Sequence, residues 1–228
     1  MGKEFKISLP LYKIVYSLCF VISLSLVRGT TYTSEIGIAL EAPMAILAAV
    51  FLSDTYVQEI VGKRWEVYRL FPLQKRVLSI MKRISIQEGY LLLLSVVGYL
   101  CFAFFQKPMR SSIVRGVGSE QYLFGIYVMA IMVTISFWGI LSNMIASLAG
   151  NMWAGVGGSL LPWILSNSLL GDKIFGDFNL FSYTFRSLDK YGNCEDRGWL
   201  CGKGVCIVLI VFMLAVLPLV LKRCKGLY

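Results

Sequence analysis

Residues 205–221 read VCIVLIVFMLAVLPLVL, a run without one charged side chain. Apolar and polar positions do not alternate, which argues against a strand of a membrane barrel. A helix of roughly 20 apolar residues crosses the hydrocarbon core of a bilayer with all its backbone groups satisfied internally. Runs of this kind recur along the chain. The sequence predicts six helical spans, at Leu11–Val27, Ile36–Leu52, Gln87–Phe105, Tyr122–Leu148, Met152–Leu170 and Val205–Leu221. The expected fold is therefore an all-α membrane protein, with residues 1–228 forming a single transmembrane domain. The first and last runs are short, and flanking residues or bilayer thinning would extend them.

Composition agrees with this reading. Of 228 residues, 57% are hydrophobic and 15% charged, against about 25% charged in ordinary soluble domains. The net charge of +9 is no sign of nucleic acid here. In a membrane protein, excess Lys and Arg marks cytoplasmic loops and contacts with anionic lipid. No nucleic-acid partner is expected. The N-terminus resembles a signal-peptide n-region, but no small-residue cleavage site follows the apolar run, so the first helix is expected to stay.

Orientation follows from the basic residues. The middle loop carries Lys63, Arg64, Arg69, Lys75, Arg76, Lys82 and Arg83. Lys3, Lys6 and Lys13 near the start, and Lys222, Arg223 and Lys225 near the end, fall on the same side of a six-span plan. That places both termini in the cytoplasm of a multi-pass plasma-membrane protein.

The cytoplasmic loop, residues 56–83, contains the stretch KRWEVYRLFPLQKR at 63–76. Val57, Ile60, Val61, Trp65 and Tyr68 recur at helical spacing and share a face. Pro72 disfavours helical geometry at Phe71 and ends the run. A second basic segment then leads into the third span. An amphipathic helix of this kind either lies on lipid with its rings at headgroup depth or docks on a soluble protein.

The loop resembles the one between spans two and three of ABC-2-type ABC transporter permeases, the membrane-spanning subunits of bacterial exporters. In that family a Glu is followed by a short apolar run, a Pro, basic residues and a Lys entering the next span. Here Glu66, Pro72, Lys75, Arg76 and Lys82 match, with the spacings Glu-x5-Pro and Pro-x9-Lys. Gly62 stands one residue further from the Glu than the family's glycine, and Lys63 replaces its small neighbour. The resemblance covers nearly the whole chain through the six-span plan. It implies that Glu59–Leu70 is a coupling helix that inserts into a separate ATP-binding subunit. Glu59, Lys63, Trp65, Glu66, Tyr68, Arg69 and Pro72 would then form the ATPase-docking surface.

This sequence has no GxxxxGK[ST] phosphate loop, so the resemblance assigns ATP and magnesium to the partner subunit. There is no His, which excludes the HExxH metalloprotease motif, Ser–His proteolysis and His-ligated haem. The carboxylates are scattered, with no close pair for acid–base work. A transport subunit without its own catalytic residues is expected, and no metal site.

Polar residues inside spans are candidates for function. Glu41 lies in the outer part of the second span. It would either pair with Arg28 or another external base, or guard an outer mouth. Asp54 and Glu59, flanking the inner end of that span, are expected to be solvated or part of the dock. In the fourth span Ser142, Ala146 and Gly150 recur at four-residue spacing, with Asn143 and Ser147 beside them. Small residues at this spacing serve helix packing. The other reading makes Glu41, Asn143 and Ser147 a polar translocation path. Pro162 predicts a kink in the fifth span.

The outer loop, residues 171–204, has Phe175, Phe178, Phe181, Phe185 and Leu188 at near-helical spacing, which predicts a short amphipathic helix on the outer interface before span six. Cys194 and Cys201 in this loop are a disulfide candidate.

These features, with the resemblance, predict the permease subunit of an ATP-driven ABC exporter. It would pair with a second copy or a paralogous permease, and with two ATP-binding subunits. The cargo would be a hydrophobic or amphipathic molecule, possible classes including antimicrobial and other peptides. The competing class is a membrane scaffold or regulator that recruits a soluble partner or anionic lipid through the basic loop.

Overall fold

The computed structural model describes residues 2–31, 33, 35–57, 71–108, 117–181 and 198–223. These residues are helical, with no strand among them. The helices are α1 (Gly2–Ser8), α2 (Leu11–Val27), α3 (Glu35–Ser53), α4 (Leu73–Gln106), α5 (Val117–Ala149), α6 (Met152–Ser166), α7 (Leu169–Phe175) and α8 (Gly198–Arg223), with a 3-10 turn at Gly176–Phe178. Four are long and apolar enough to cross a membrane: α3, α4, α5 from Phe124, and α8 from Leu200 to Leu221. The protein is an all-helical membrane protein.

The exterior carries a second sign of lipid. In α2 the buried positions are Lys13, Ser17, Val21 and Ser25. The outward positions are Leu11, Tyr12, Val15, Leu18, Ile22 and Leu26. α6 repeats the pattern, burying Gly155, Ser159 and Ser166 and exposing Trp153, Leu161 and Ile164. Water would drive the opposite arrangement. Apolar faces outside and polar stripes inside suit a hydrocarbon surround.

α3 is the axis of the bundle. Its apolar stretch is 72% buried, against 28% in α4 and in α8, and it packs on α4, α5 and α6. Small residues set the close approaches. A Cβ on Gly155 would stand 2.5 Å from Ala146 Cβ and 2.6 Å from the Ser142 carbonyl. The small-residue stripe of the fourth span thus seats α6 on α5. Gly139 of α5 similarly receives Leu52.

The segment from Lys75 to Arg83 is helical and runs into the third span without a break, as the N-terminal part of α4, a continuous helix of 34 residues. At 1.5 Å per residue it is about 51 Å long, well beyond the hydrocarbon core. Pro72, with φ −58° and ψ 145°, precedes its first residue, so the proline opens this helix, as its locked φ and missing N–H allow.

The fifth expected span, α6, ends earlier than its hydropathy suggests. It stops at Ser166, where the Asn167 side chain donates to the Trp163 carbonyl at 3.1 Å and the Ser168 hydroxyl caps α7 through Gly171 N. The turn is so tight that a Cβ on Gly171 would lie 2.0 Å from the Leu165 carbonyl oxygen.

The phenylalanine pattern overshoots as well. The short helix before the last span is α7, ending at Phe175, followed by the 3-10 turn. Phe181 does not rest on the outer interface. It is fully buried and stacks on Trp138 with ring centroids 5.3 Å apart. Phe185 and Leu188 lie outside the described residues.

Candidate functional site

Hydrogen bonds along the helices fix their relative directions. Arg83 meets Glu4 near the start of the chain, and Gln106 meets Ser25 and Thr30, so α1–α2 and α4 run the same way. α3 returns between them, with Arg28 on Ala39 at one end and Lys13 on Asp54 at the other. Each end of the bundle holds a buried ionic cluster.

The first cluster joins three helices. Glu41 of α3 and Lys203 of α8 form a buried ion pair through Oε1 and Nζ, with side chains 4% and 5% exposed. The Thr134 hydroxyl of α5 donates to Glu41 Oε1 at 2.7 Å, and it lies 2.7 Å from Lys203 Nζ. Lys203 also donates to the Leu180 carbonyl at 3.5 Å, so the chain leading out of the 3-10 turn shares this centre. A buried charge survives only when paired and hydrogen-bonded. Here both are satisfied inside the protein.

The sequence reading paired Glu41 with Arg28 or another external base, and the base the structure supplies is Lys203. Arg28 instead donates through Nη1 to the Ala39 carbonyl at 3.1 Å. Pro43 stands four residues after Ala39 inside α3 and has no N–H for that carbonyl. The guanidinium supplies the missing donor.

The second cluster stands where α3 ends. Lys13 Nζ donates to Asp54 Oδ1 at 2.6 Å and to the Phe51 carbonyl at 2.8 Å, and it lies 4.9 Å from the Phe51 ring centroid. Asp54 is 5% exposed and is not solvated as expected. Beside it Thr55 donates to Gln87 Oε1 at 2.8 Å, and Gln87 Nε2 donates to the Ser8 carbonyl at 2.9 Å. Arg83 donates to Glu4 at 2.7 Å. The end of α3 is therefore tied to α2, and the body of α4, from Arg83 on, to α1.

Of the proposed docking residues, Glu59, Lys63, Trp65, Glu66, Tyr68 and Arg69 lie outside the described residues, and Pro72 sits at the start of α4. Asn143 and Ser147 are brought together but away from Glu41. Asn143 Nδ2 donates to the Leu52 carbonyl at 2.9 Å, and Ser147 donates to the Asn143 carbonyl at 2.7 Å. Both are buried in the α3–α5 contact. Cys201 is exposed on α8, and Cys194 lies outside the described residues. No cluster able to hold a metal occurs among the described residues.

Lys13 was missed as a partner because it was counted only toward orientation, and Lys203 was left unnamed among the external bases open to Glu41. Their signal was present. Lys13 stands inside the first apolar run, and Lys203 stands two residues before the last. A lone cation beside such a run wants a buried anion, and Asp54 and Glu41 were the unexplained anions. No protein-family model, curated protein or solved structure matches this chain.

Proposed function

We propose that this chain is the membrane-spanning subunit of an ATP-driven exporter of the ABC-2 type. The observation that carries the reading is the loop between α3 and α4. Its sequence holds Glu66, Pro72 and Lys82 at the spacing of that family. The end of α3 before it is held by Lys13 on Asp54, and α4 after it is held about 21 Å along its length by Gln87 on Thr55 and Ser8. A push on residues 58–70 would reach α2, α3 and α4 together, as a coupling element requires.

In this reading the short helices α2 and α6 also span, since both turn apolar faces outward. That makes six spans with both termini and the coupling loop in the cytoplasm. Glu59, Lys63, Trp65, Glu66, Tyr68 and Arg69 dock the ATP-binding subunit, which holds ATP and magnesium. A second copy or a paralogue completes the pathway. By the family resemblance the cargo is a hydrophobic or amphipathic molecule, such as a peptide.

The test is a gentle-detergent pull-down of the chain from its native membrane, wild type against Glu66→Lys. The reading expects a Walker-motif ATPase with the wild type and its loss with the variant. An abundant, intact chain without an ATPase would sink it in favour of a scaffold or regulator that recruits another partner or anionic lipid.

A further inference from the structure

A further carboxylate has no counterpart in either ionic cluster. Glu88 is the last charged residue of α4, at the border between its basic half and the charge-free stretch from Gly89 to Gln106. It stands in the wall of a cleft of about 270 Å³ between α4 and α5, lined by Ser85, Glu88, Gly89, Leu92, Met132, Ile135 and Ser136. Ser136 lines the same cleft, and Glu88 Oε1 is buried without a partner. A buried acceptor left open costs free energy, and more so when it belongs to a charged group.

The cleft has the features of a ligand site. Leu92, Met132 and Ile135 make it mostly apolar, and the Ser hydroxyls and the carboxylate gather at one end. No Cβ fills the floor at Gly89, around which nothing approaches within 4 Å. Met132 is 54% exposed, so the cleft opens sideways onto the outer face of the bundle, where lipid lies. The volume is slightly below that of pockets for drug-sized ligands. It has room for a small head group, with Leu92 and Met132 beside it.

We infer that this cleft binds an organic ammonium carried on an apolar chain, with the ammonium on Glu88 and Ser136. The charge-assisted bond supplies what Oε1 lacks. The apolar tail stays in a hydrocarbon surround. The inference needs no ATPase partner, so it stands or falls apart from the exporter reading.

The test uses the purified full chain in maltoside micelles, photolabelled with a long-chain alkylamine bearing a diazirine in its tail. Labelled peptides are expected to contain Leu92 and Met132. Unlabelled hexadecylamine should compete, and hexadecanol should not. Glu88→Gln, checked for unchanged elution and melting, should lower labelling about tenfold, with Glu88→Asp retaining part of it. Competition by added phosphatidylethanolamine would identify a lipid headgroup as the source of the amine. Its failure to compete, with hexadecylamine still competing, would identify a free amphiphile. Unchanged labelling in Glu88→Gln, or equal competition by hexadecanol, would overturn the inference. So would a chain-to-chain crosslink through Met132 that excludes the probe, because a second copy would then fill the cleft.

Discussion

Arg28 completes a hydrogen bond that Pro43 cannot make. Its guanidinium donates to the Ala39 carbonyl at 3.1 Å, the acceptor left open one turn before the proline of α3. Pro43→Ala restores an N–H at that turn. Arg28→Met alone should destabilise the chain by about 1–3 kcal/mol. In the Pro43→Ala background the same change should cost much less. Melting of the four proteins in detergent gives the coupling, and equal effects in both backgrounds would refute it.

The Glu41–Lys203 pair makes a sharper case. Removing one partner strands a buried charge, so Lys203→Met should cost about 3–5 kcal/mol. Glu41→Gln in the same chain should recover most of that loss. If the double variant is as unstable as the sum of the singles, the pair is not coupled as the structure has it.

Two glycines are fixed by their neighbours. Gly171→Ala puts a Cβ against the Leu165 carbonyl, which is backbone and cannot rotate aside. Gly155→Val drives α6 away from Ala146. Each should destabilise by about 1–3 kcal/mol or more, the usual penalty of overpacking. Gly157, with nothing within 4 Å of its Cβ position, is the control, and Gly157→Ala should melt like the wild type.

At the other end of the bundle, Asp54→Asn leaves Lys13 buried without its anion. The loss should again be about 3–5 kcal/mol. If residues 58–70 bind an ATPase, this variant should still capture it while substrate-stimulated ATP turnover falls. Turnover equal to wild type would separate the Lys13–Asp54 pair from coupling.

The Cys194–Cys201 candidate is settled by alkylation. If the two are bonded, mass spectrometry of the unreduced chain should find neither modified, and Cys194→Ser should free Cys201 for labelling. Ready labelling of both before reduction would exclude the bond.

The helices were legible in the sequence because hydropathy and length report directly on what a bilayer accepts. Leu11–Val27 ends where the run ends. The ends of α6 and of the short helix α7 after it were not legible. They depend on side chains such as Asn167 and Ser168 catching backbone groups, and on Gly171 admitting a carbonyl at a distance no Cβ permits. Glu41 stood out as an anion in an apolar run, but its partner lay far along the chain, and spacing carries no information about which distant Lys arrives. Arg28 was nearer in sequence and was engaged by a proline's missing donor. Phe181 fits a lipid-facing pattern by spacing alone; its stacking on Trp138 follows from how the chain turns after the 3-10 segment.

The Glu41–Lys203 pair also sets a clock. Its partners are 162 positions apart, and a ribosome adding about 5–20 residues per second needs roughly 8–30 s to cover that distance. During that interval α3 has been made and α8 has not. Until Lys203 emerges, the Glu41 carboxyl must stay near water, take up a proton or find a temporary partner. Assembly of this bundle is thus finished from its last helix, and a chain truncated before residue 203 would leave the membrane holding an unanswered charge.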